Sequence, residues 1–512
     1  MSVKRELIKG TLILTAAGFM ARLLGLLNRI YLANLISNAE LGRYQLIFPV
    51  FMFCMAVSST GMQVAVSKMI SAYHAAGQRR EMQQTVSMAI AWSLSLSLLC
   101  SAVLYTYSEP ISIRILNESA CGPYLRILAA ALPFAAMHNC VSGYFYGCRE
   151  AAVPAAAQLL EQLARVGCIY GLSVMVYHHH PADAAVAVWG LAAGELVSCL
   201  LTIICYKIHI HREGKMTAAM ESTGKIRRRL WRYAGWLTVN RVSVTLLQSA
   251  EMILIPLMLA VYCGNSNQAL ELFGVITGIV MPVISFPNTL TNALSTLLLP
   301  AVSEAEAVHN YGVIADTFEK SIQYCLMMGI FASMLFAVYG SDVGRLLFND
   351  TQAGYYIRIF AVLCPLMYIQ SLLSGTLNGL GKMNETLMHH VIASAIKIGS
   401  ILLLVPKTGI QGYVIGIFTA NAVVTAIAAV RMYQLAGVHL HAVRFLLLPA
   451  CAAVLSAQIS IWSGHLRLTA YFPGNGESIF WRLLWQCGVM TLVFLAFMLP
   501  WMGITVKKRL KK

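Results

Sequence analysis

Two arginines lie inside the first long apolar segment of the chain, at a spacing that suits one helix face. The run reads Gly18-Phe19-Met20-Ala21-Arg22-Leu23-Leu24-Gly25-Leu26-Leu27-Asn28-Arg29. Its two glycines and two arginines alternate at intervals of four, three and four residues, so a helix aligns them in one stripe. A guanidinium near the centre of a bilayer costs roughly 2.5–3.5 kcal/mol, so such residues usually face a protein interior or a wet cavity. The stripe therefore predicts a site for an anion.

The composition is typical of a polytopic membrane protein. Of 512 residues, 58% are hydrophobic and 11% are charged, whereas ordinary globular domains carry about 25% charged residues. No cleavable signal peptide is predicted, because the first apolar run is longer than a signal core and contains both arginines. The 13 cysteines are scattered singly, and the run His178–His180 has no further ligands near it in sequence. We therefore expect no metal and no cofactor.

Hydropathy predicts an all-α fold with fourteen transmembrane helices. Each predicted segment has about the 20 residues that a helix needs to cross a bilayer. The predicted limits are 11–36, 44–73, 83–107, 121–147, 153–177, 184–206, 233–262, 271–303, 313–340, 354–380, 384–405, 411–436, 444–463 and 480–505. An even number of spans puts both termini on the same side of the membrane.

Basic residues in the loops predict which side that is. If the N-terminus is cytoplasmic, the inner segments hold 22 lysines and arginines and the outer loops hold five. Cytoplasmic loops are enriched in Lys and Arg, so both termini are expected in the cytoplasm and the chain in the cytoplasmic membrane. The same rule accounts for the net charge of +16 without a nucleic-acid partner.

A basic stretch interrupts the spans after the sixth and suggests two halves. We predict an N-terminal six-helix lobe at 1–206, a basic cytoplasmic linker at 207–232, a C-terminal six-helix lobe at 233–436, and two extra helices with a basic cytoplasmic tail at 437–512. The linker and the tail are expected to contact anionic lipid headgroups, at about 1 kcal/mol per basic residue near the surface.

Short motifs in the two lobes indicate an internal repeat. Gly143-x-x-x-Gly147 followed by Arg165-x-Gly167 recurs 232 residues later as Gly375-x-x-x-Gly379 followed by Lys397-x-Gly399. Val66-Ser67-Lys68 recurs 236 residues later as Val302-Ser303-Glu304. Six spans separate the copies, so both have the same orientation in the membrane. The pattern predicts two parallel six-helix repeats around a V-shaped central cavity.

Polar side chains inside the spans are candidates for the wall of that cavity. Sites in repeat-built transporters lie near mid-membrane between the repeats, which selects spans one, two, seven and eight. Arginine suits phosphate because its planar fork can donate two parallel hydrogen bonds. The candidate substrate-binding residues are Arg22, Arg29, Gln63, Lys68, Asn240, Arg241, Gln248, Glu251, Asn288 and Asn292. Span eight is also interrupted by Pro282 and Pro287, which free backbone carbonyls for protein or water.

Structural roles for these residues stay open. Arg29 and Arg241 could snorkel to an interface or pair with Glu251. A second polar group consists of Glu161, Arg165, Glu195 and Lys397, which could gate or line the cavity. Glu161 and Arg165 are one helical turn apart and could simply satisfy each other. No hydrolase motif and no nucleotide-binding glycine loop occurs, so a transporter is expected rather than an enzyme.

Three stretches near the N-terminus carry a family resemblance. They are Lys9–Phe19 followed by Arg22-x-x-Gly25, then Leu41-Gly42-x-Tyr44-Gln45-Leu46-Ile47-Phe48-Pro49, then Gly61-x-Gln63-x-Ala65-x-Ser67-Lys68. Together they resemble the stage V sporulation protein B group of the multidrug/oligosaccharidyl-lipid/polysaccharide flippase superfamily, whose MurJ-type members are similar. The fourteen spans, the parallel repeat and Leu299-Pro300-Ala301-Val302-Ser303 support the resemblance over the rest of the chain.

The resemblance implies a flippase for undecaprenyl-pyrophosphate-linked saccharides, with the peptidoglycan precursor lipid II favoured and spore cortex formation as the process. The expected mechanism is alternating access by rocking one half against the other. A two-half cavity needs only a monomer, and cell-wall synthases are candidate partners. In MurJ-type relatives arginines of the first span are implicated in function, and Arg22 and Arg29 match them. Those relatives also use an arginine in the eighth span, where 271–303 has none, so Arg241 is the candidate substitute.

Other functions remain open beside this one. The chain could flip another lipid-linked glycan, such as a teichuronic-acid or capsule repeat unit, or could serve as a scaffold in the sporulation membrane. A cation-coupled drug exporter of the same superfamily is disfavoured. Cationic drugs call for acidic cavity residues, and the first span has two arginines and no acid.

Overall fold

Helices form every regular element of the described chain. The computed structural model describes residues 2–176, 182–213, 222–307, 311–436, 443–465 and 477–509. Among these residues, one isolated bridge between Ile36 and Ala182 accompanies the helices. The predicted all-α fold is therefore confirmed. The run His178–His180, the linker stretch 214–221, the loop 466–476 and the tail end 510–512 lie outside the described residues.

The first part of the chain runs from α1 to α8. The bounds are α1 (Ser2–Leu35), α2 (Asn38–Met55), α3 (Gly61–Ala75), α4 (Arg79–Thr106), α5 (Ser108–Arg114), α6 (Cys121–Gly147), α7 (Ala152–Met175) and α8 (Ala184–Glu213). A π-helical turn, Ala56–Thr60, joins α2 to α3. In this turn the Thr60 hydroxyl donates to the carbonyl of Met55, five residues back, at 3.0 Å.

The remaining helices run from α9 to α20. Their bounds are α9 (Thr223–Cys263), α10 (Ser266–Gly274), α11 (Met281–Ser285), α12 (Asn288–Ala307), α13 (Tyr311–Phe348), α14 (Thr351–Phe360), α15 (Cys364–Gly379), α16 (Met383–Leu403), α17 (Val405–Thr408), α18 (Ile410–Ala436), α19 (Leu448–His465) and α20 (Glu477–Arg509). π-Helical segments Val275–Val280 and Val443–Leu447 precede α11 and α19, and a 3₁₀ turn, Ala361–Leu363, precedes α15.

Local sequence explains several helix ends. Gly264 follows α9 with a φ of 65°, a left-handed conformation that glycine adopts without steric cost. Asp350 begins α14, because its carboxylate accepts from the backbone N–H groups of Gln352 and Ala353 at 2.7 and 3.0 Å. Pro287 separates α11 from α12, so the predicted interruption of span eight is present.

The chain is a multi-pass membrane protein. Within the described residues, twelve helical stretches are long and apolar enough to cross a bilayer. Helices α1 and α7, which lie at predicted spans one and five, are not among the twelve. They have 34 and 24 residues, and their charged residues include Arg22 and Arg29 on α1 and Glu161 and Arg165 on α7. The predicted count of fourteen therefore stays a prediction.

Close contacts divide the chain into two compact units. The first comprises Met1–Gly274 with Ile401–Gly409, and the second comprises Val275–Ser400 with Ile410–Lys512. Helices α9 and α10 thus belong with the first unit, although they follow the predicted linker. The predicted lobe limits concern the internal repeat and stay a prediction.

The start of α9 is part of the core of the first unit. Ile226, Leu230 and Ala234 are buried in one apolar cluster with residues of α3, α4 and α6. They are four residues apart, so they form one stripe of the helix. Arg229 donates to the Tyr73 hydroxyl at 3.2 Å beside this cluster. The last part of the predicted linker is therefore a packed helix from Thr223 onward.

The second unit is built around α13. One apolar cluster joins it to α12, α15 and α18 through side chains such as Phe318, Leu372 and Met432. The helices α19 and α20 pack on its other part, where Tyr339 and Ser460 share a 2.6 Å hydrogen bond. The Ser460 hydroxyl also lies 2.6 Å from the Gln486 carbonyl, so polar contacts link all three helices.

Candidate functional site

The two arginines of the first span occupy different surroundings on α1. Both lie within the uninterrupted helix Ser2–Leu35. Arg22 is exposed, whereas Arg29 is half-buried. Seven residues separate them, or about 10 Å along the helix axis. Arg22 is therefore the more accessible of the two arginines.

Arg29 faces the interior of the first unit. Its guanidinium interacts electrostatically with Tyr44 of α2 and with Arg165 of α7. Helix α1 packs against α7 at this level, where Tyr31 and Ser173 share a 2.7 Å hydrogen bond. Arg29 therefore lies beside a second cation, Arg165, and its contact with substrate stays a prediction.

A compact charged cluster lies beside Arg29. Arg165 donates to Glu161 at 2.6 Å, and both side chains are only about 15% exposed. Glu195 of α8 interacts electrostatically with both. A Cβ on Gly194 would lie 2.9 Å from the Glu161 carbonyl oxygen, so glycine lets α8 approach α7 at the level of the pair. The expected contact between Glu161 and Arg165 is present.

The candidates on α9 divide between surface and interior. Arg241 and Gln248 are exposed, Asn240 is half-buried, and Glu251 is buried. Helix α9 is anchored to α2 by Ser249, whose hydroxyl donates to the Pro49 carbonyl at 3.1 Å. The exposed Arg241 and Gln248 are thus the two candidates on this helix that can reach a ligand.

The candidates on α3 lie where this helix meets α6 and α9. The ammonium of Lys68 lies 4.5 Å from the centre of the Tyr233 ring, which is cation–π geometry. Gln63 is half-buried, and its backbone oxygen would lie 2.6 Å from a Cβ on Gly143. Lys68 therefore has a packing partner within the protein, and contact with substrate stays a prediction for both residues.

The remaining candidates belong to the second unit. The Asn292 side-chain oxygen accepts from the Ser371 hydroxyl of α15, and the Asn288 side-chain oxygen accepts from the Thr291 hydroxyl. Lys397 is half-buried on α16. The two asparagines therefore take part in polar contacts that join or stabilise helices of this unit.

Three further polar residues are absent from the sequence-based candidates. His138 of α6 shares a 2.7 Å hydrogen bond with Ser198 of α8, and Asn139 donates to the Ser59 hydroxyl in the π-helical turn at 3.2 Å. The signal for them was available, because a consecutive His and Asn interrupt the apolar span 121–147. Asn28 was also missed: it is buried, and its side-chain oxygen meets no hydrogen-bond partner among the described residues.

The fold and these residues define an all-helical membrane protein with arginines on its first span. A family model described as "Polysaccharide biosynthesis protein" matches residues 7–292, and the chain belongs to this family. The chain is 26% identical over 463 residues to stage V sporulation protein B of Bacillus subtilis (strain 168), covering 89% of each protein. It is 20% identical over 341 residues to lipid II flippase MurJ of the same organism, covering 63% of this chain and 62% of that protein.

A solved structure has the same fold. The chain matches lipid II flippase MurJ in an inward closed conformation with a TM-score of 0.71 and 14% identity, covering 97% of this chain and 100% of that one. The resemblance predicted from the N-terminal motifs is therefore confirmed, and the protein has a MurJ-like fold.

Proposed function

We propose that the protein is a flippase that moves a lipid-linked, pyrophosphate-bearing saccharide across the cytoplasmic membrane by alternating access. The observation that carries the proposal is Arg22, an exposed guanidinium within a helix of a polysaccharide-biosynthesis family member. An exposed arginine inside a span is costly unless it meets water or an anion. A bidentate guanidinium contact suits a pyrophosphate.

Arg241 and Gln248 are proposed as further contacts to the head group. Both are exposed on α9, which belongs to the same compact unit as α1. A pyrophosphate cannot cross hydrocarbon alone, because burial of an unpaired charge is prohibitive. Side chains of this kind replace water around the head group while the polyprenyl tail stays in lipid. An outside-positive membrane potential would favour outward movement by about 2.3 kcal/mol per negative charge per 100 mV.

Lipid II is the favoured cargo, and spore cortex formation the favoured process. Relatives named as a lipid II flippase and as a stage V sporulation protein support this choice. We also infer that exposed basic residues at the start of α9, such as Arg228 and Arg232, contact anionic lipids. Cell-wall synthases remain candidate partners, and a monomer is sufficient for the mechanism.

The test is translocation in proteoliposomes of labelled lipid II, with a lipid-linked teichuronic-type glycan in a parallel reaction. We expect the wild type to move lipid II faster. Arg22→Ala should abolish movement while the protein stays folded and inserted, because the guanidinium is lost from an exposed position. Arg22→Lys should restore little if bidentate contact matters rather than charge alone.

The matched control is Arg114→Ala, which removes an exposed arginine from α5 of the same unit. It should leave the rate unchanged. Full activity of Arg22→Ala would contradict the anion site. Failure of the wild type to move either lipid under any imposed gradient would contradict the flippase and favour the scaffold. Preference for the teichuronic lipid would keep the flippase and change its cargo.

A further inference from the structure

A groove in the second unit lies outside the candidate site. It runs between α16 and α18 with a volume of about 710 Å³. Its apolar walls are formed by Met388, Ile392, Ala426, Ile427 and Val430. Met388 and Val430 are 61% and 58% exposed, so the groove is open to the surroundings of the unit. One end is polar, lined by Asn384, Glu385, His389, Arg431 and Gln434.

The polarity of the groove follows the helix ends. Glu385 lies in the first turn of α16, and Arg431 lies in the last two turns of α18. Ile392 is seven residues beyond Glu385, so the apolar part extends about 10 Å along the helix from the polar end. In a membrane, helix ends approach the headgroup layer and helix middles contact acyl chains. The groove thus has the polarity of a phospholipid.

The polar end of the groove contains an ion pair that leaves part of the carboxylate accessible. Arg431 donates through Nε and Nη2 to the two Glu385 oxygens at 2.8 Å each, and through Nη1 to Gln434 at 3.3 Å. Three nitrogens of the guanidinium are therefore engaged within the protein. Each carboxylate oxygen has a second lone-pair site, and Glu385 is still 28% exposed. Lys382 lies just before α16, one turn from the pair, and its carbonyl accepts from the Glu385 backbone N–H at 3.0 Å.

The Glu385 carboxylate is thus a negatively charged hydrogen-bond acceptor, and the Lys382 ammonium is a cation beside it. A headgroup that carries a hydrogen-bonding ammonium next to a phosphate complements both. Phosphatidylglycerol has no cation for the carboxylate. The ammonium of phosphatidylcholine has no N–H to donate. Phosphatidylethanolamine has both groups that the polar end calls for.

We propose that the groove between α16 and α18 binds one phosphatidylethanolamine molecule. Its ammonium donates to Glu385, its phosphate faces Lys382, and one acyl chain lies along Met388 and Val430. The lipid fills a gap between two helices and so stabilises the second unit. The proposal is independent of what the protein transports.

Native mass spectrometry of the full chain, released from detergent micelles, tests this. The purified protein is offered phosphatidylethanolamine, phosphatidylglycerol and phosphatidylcholine with identical acyl chains. We expect one tightly held adduct, at least fivefold more abundant for phosphatidylethanolamine. Glu385→Gln should remove this preference, because the amide carries no charge. Asp316→Asn is the control, since it removes a carboxylate from the exposed Asp316–Lys320 pair of α13 in the same unit and should change nothing.

A second variant tests the groove apart from the headgroup contact. Ala426→Trp fills the apolar walls at an exposed position and leaves the Glu385–Arg431 pair intact. It should reduce retention of all three lipids at least fivefold, with an unchanged helical circular dichroism spectrum. Equal retention of the three headgroups by the wild type would overturn the proposal. So would unchanged binding in both variants, or displacement of the bound lipid by a polyprenyl-phosphate lipid at equal concentration.

Discussion

At the scale of single residues, burial separates the arginines of the first span. Arg22 is exposed and Arg29 interacts with Tyr44 and Arg165 inside the first unit. Sequence spacing puts both on one stripe but says nothing about which helices cover it. The anion site proposed from the stripe therefore depends mainly on Arg22.

The Glu161–Arg165 pair gives a stability prediction. Arg165→Leu leaves a mostly buried carboxylate without its guanidinium, so the free energy of unfolding should fall by roughly 3 kcal/mol. The double change Glu161→Gln with Arg165→Leu should cost much less, because no charge of the pair is stranded. The midpoint of thermal unfolding in detergent, followed by tryptophan fluorescence, measures both.

An exposed pair provides the comparison for this experiment. Lys320 and Asp316 of α13 are 58% and 40% exposed, and exposed ion pairs contribute little. Lys320→Met should leave the midpoint unchanged within error. Equal losses for the single and double changes at positions 161 and 165 would show that packing, not charge, dominates there.

Part of this cluster was predictable. The spacing of Glu161 and Arg165 predicts a contact within one helix, and the contact is present. The approach of Arg29 and of Glu195 to this pair was not predictable, because it depends on the packing of α1 and α8 against α7. Gly194 makes part of that packing possible, but a glycine in an apolar span does not reveal which neighbour it admits.

At the scale of helices, α9 departs most from the expectation. It has 41 residues, or about 60 Å of helix, roughly twice the thickness of the hydrocarbon core. The abundance of basic residues at 207–232 suggested a linker. Ile226 and Leu230 nevertheless lie four residues apart within that stretch, and Ala234 continues the spacing just after it. This periodicity was the available signal for a packed helix.

The packing of α3 on α9 gives a second prediction. A Cβ on Gly61 would lie 2.6 Å from the backbone nitrogen of Thr238, so Gly61→Ala must push the two helices apart. We expect a loss of about 1–3 kcal/mol, seen as a lower unfolding midpoint. Gly235→Ala on α9 is the control, because its Cβ would meet no atom within 4 Å. Equal effects of the two changes would contradict the close approach.

The π-helical segments were not predictable from hydropathy. Ala56–Thr60 and Val275–Val280 lie in predicted spans two and eight, and both are apolar or weakly polar in sequence. A π-helical turn holds one residue more than an α-helical turn would. Helix faces drawn at 100° per residue therefore do not continue through them.

At the scale of the whole molecule, the predicted orientation can be tested directly. Alkaline phosphatase is active only outside the cytoplasm, and green fluorescent protein folds well inside it. Because of the loop-charge bias, fusions after residue 512 should be fluorescent and lack phosphatase activity. Phosphatase inserted after residue 470, in the predicted outer loop, should be active. The opposite pattern would place both termini outside.

The fold class and the family were predictable because both leave strong signals. Long apolar runs fix an all-helical membrane protein, and the motifs around Arg22, Tyr44 and Gln63 indicate the family, which is confirmed. The division into compact units was not predictable. It depends on side chains of α9 and α10 that look like ordinary span residues and whose partners lie far away in sequence.

The place of α9 in the first unit also affects how the protein can be made. The surface of α3, α4 and α6 that Ile226, Leu230 and Ala234 cover stays open until the ribosome has passed them. The unit is complete only after residues 401–409 are synthesised. If the gene were split within 214–221, the amino-terminal fragment would therefore have an uncovered apolar surface on α3, α4 and α6. The second fragment would contain the residues that cover it, Ile226, Leu230 and Ala234. The six-helix lobe predicted from sequence and the compact first unit thus comprise different parts of the chain.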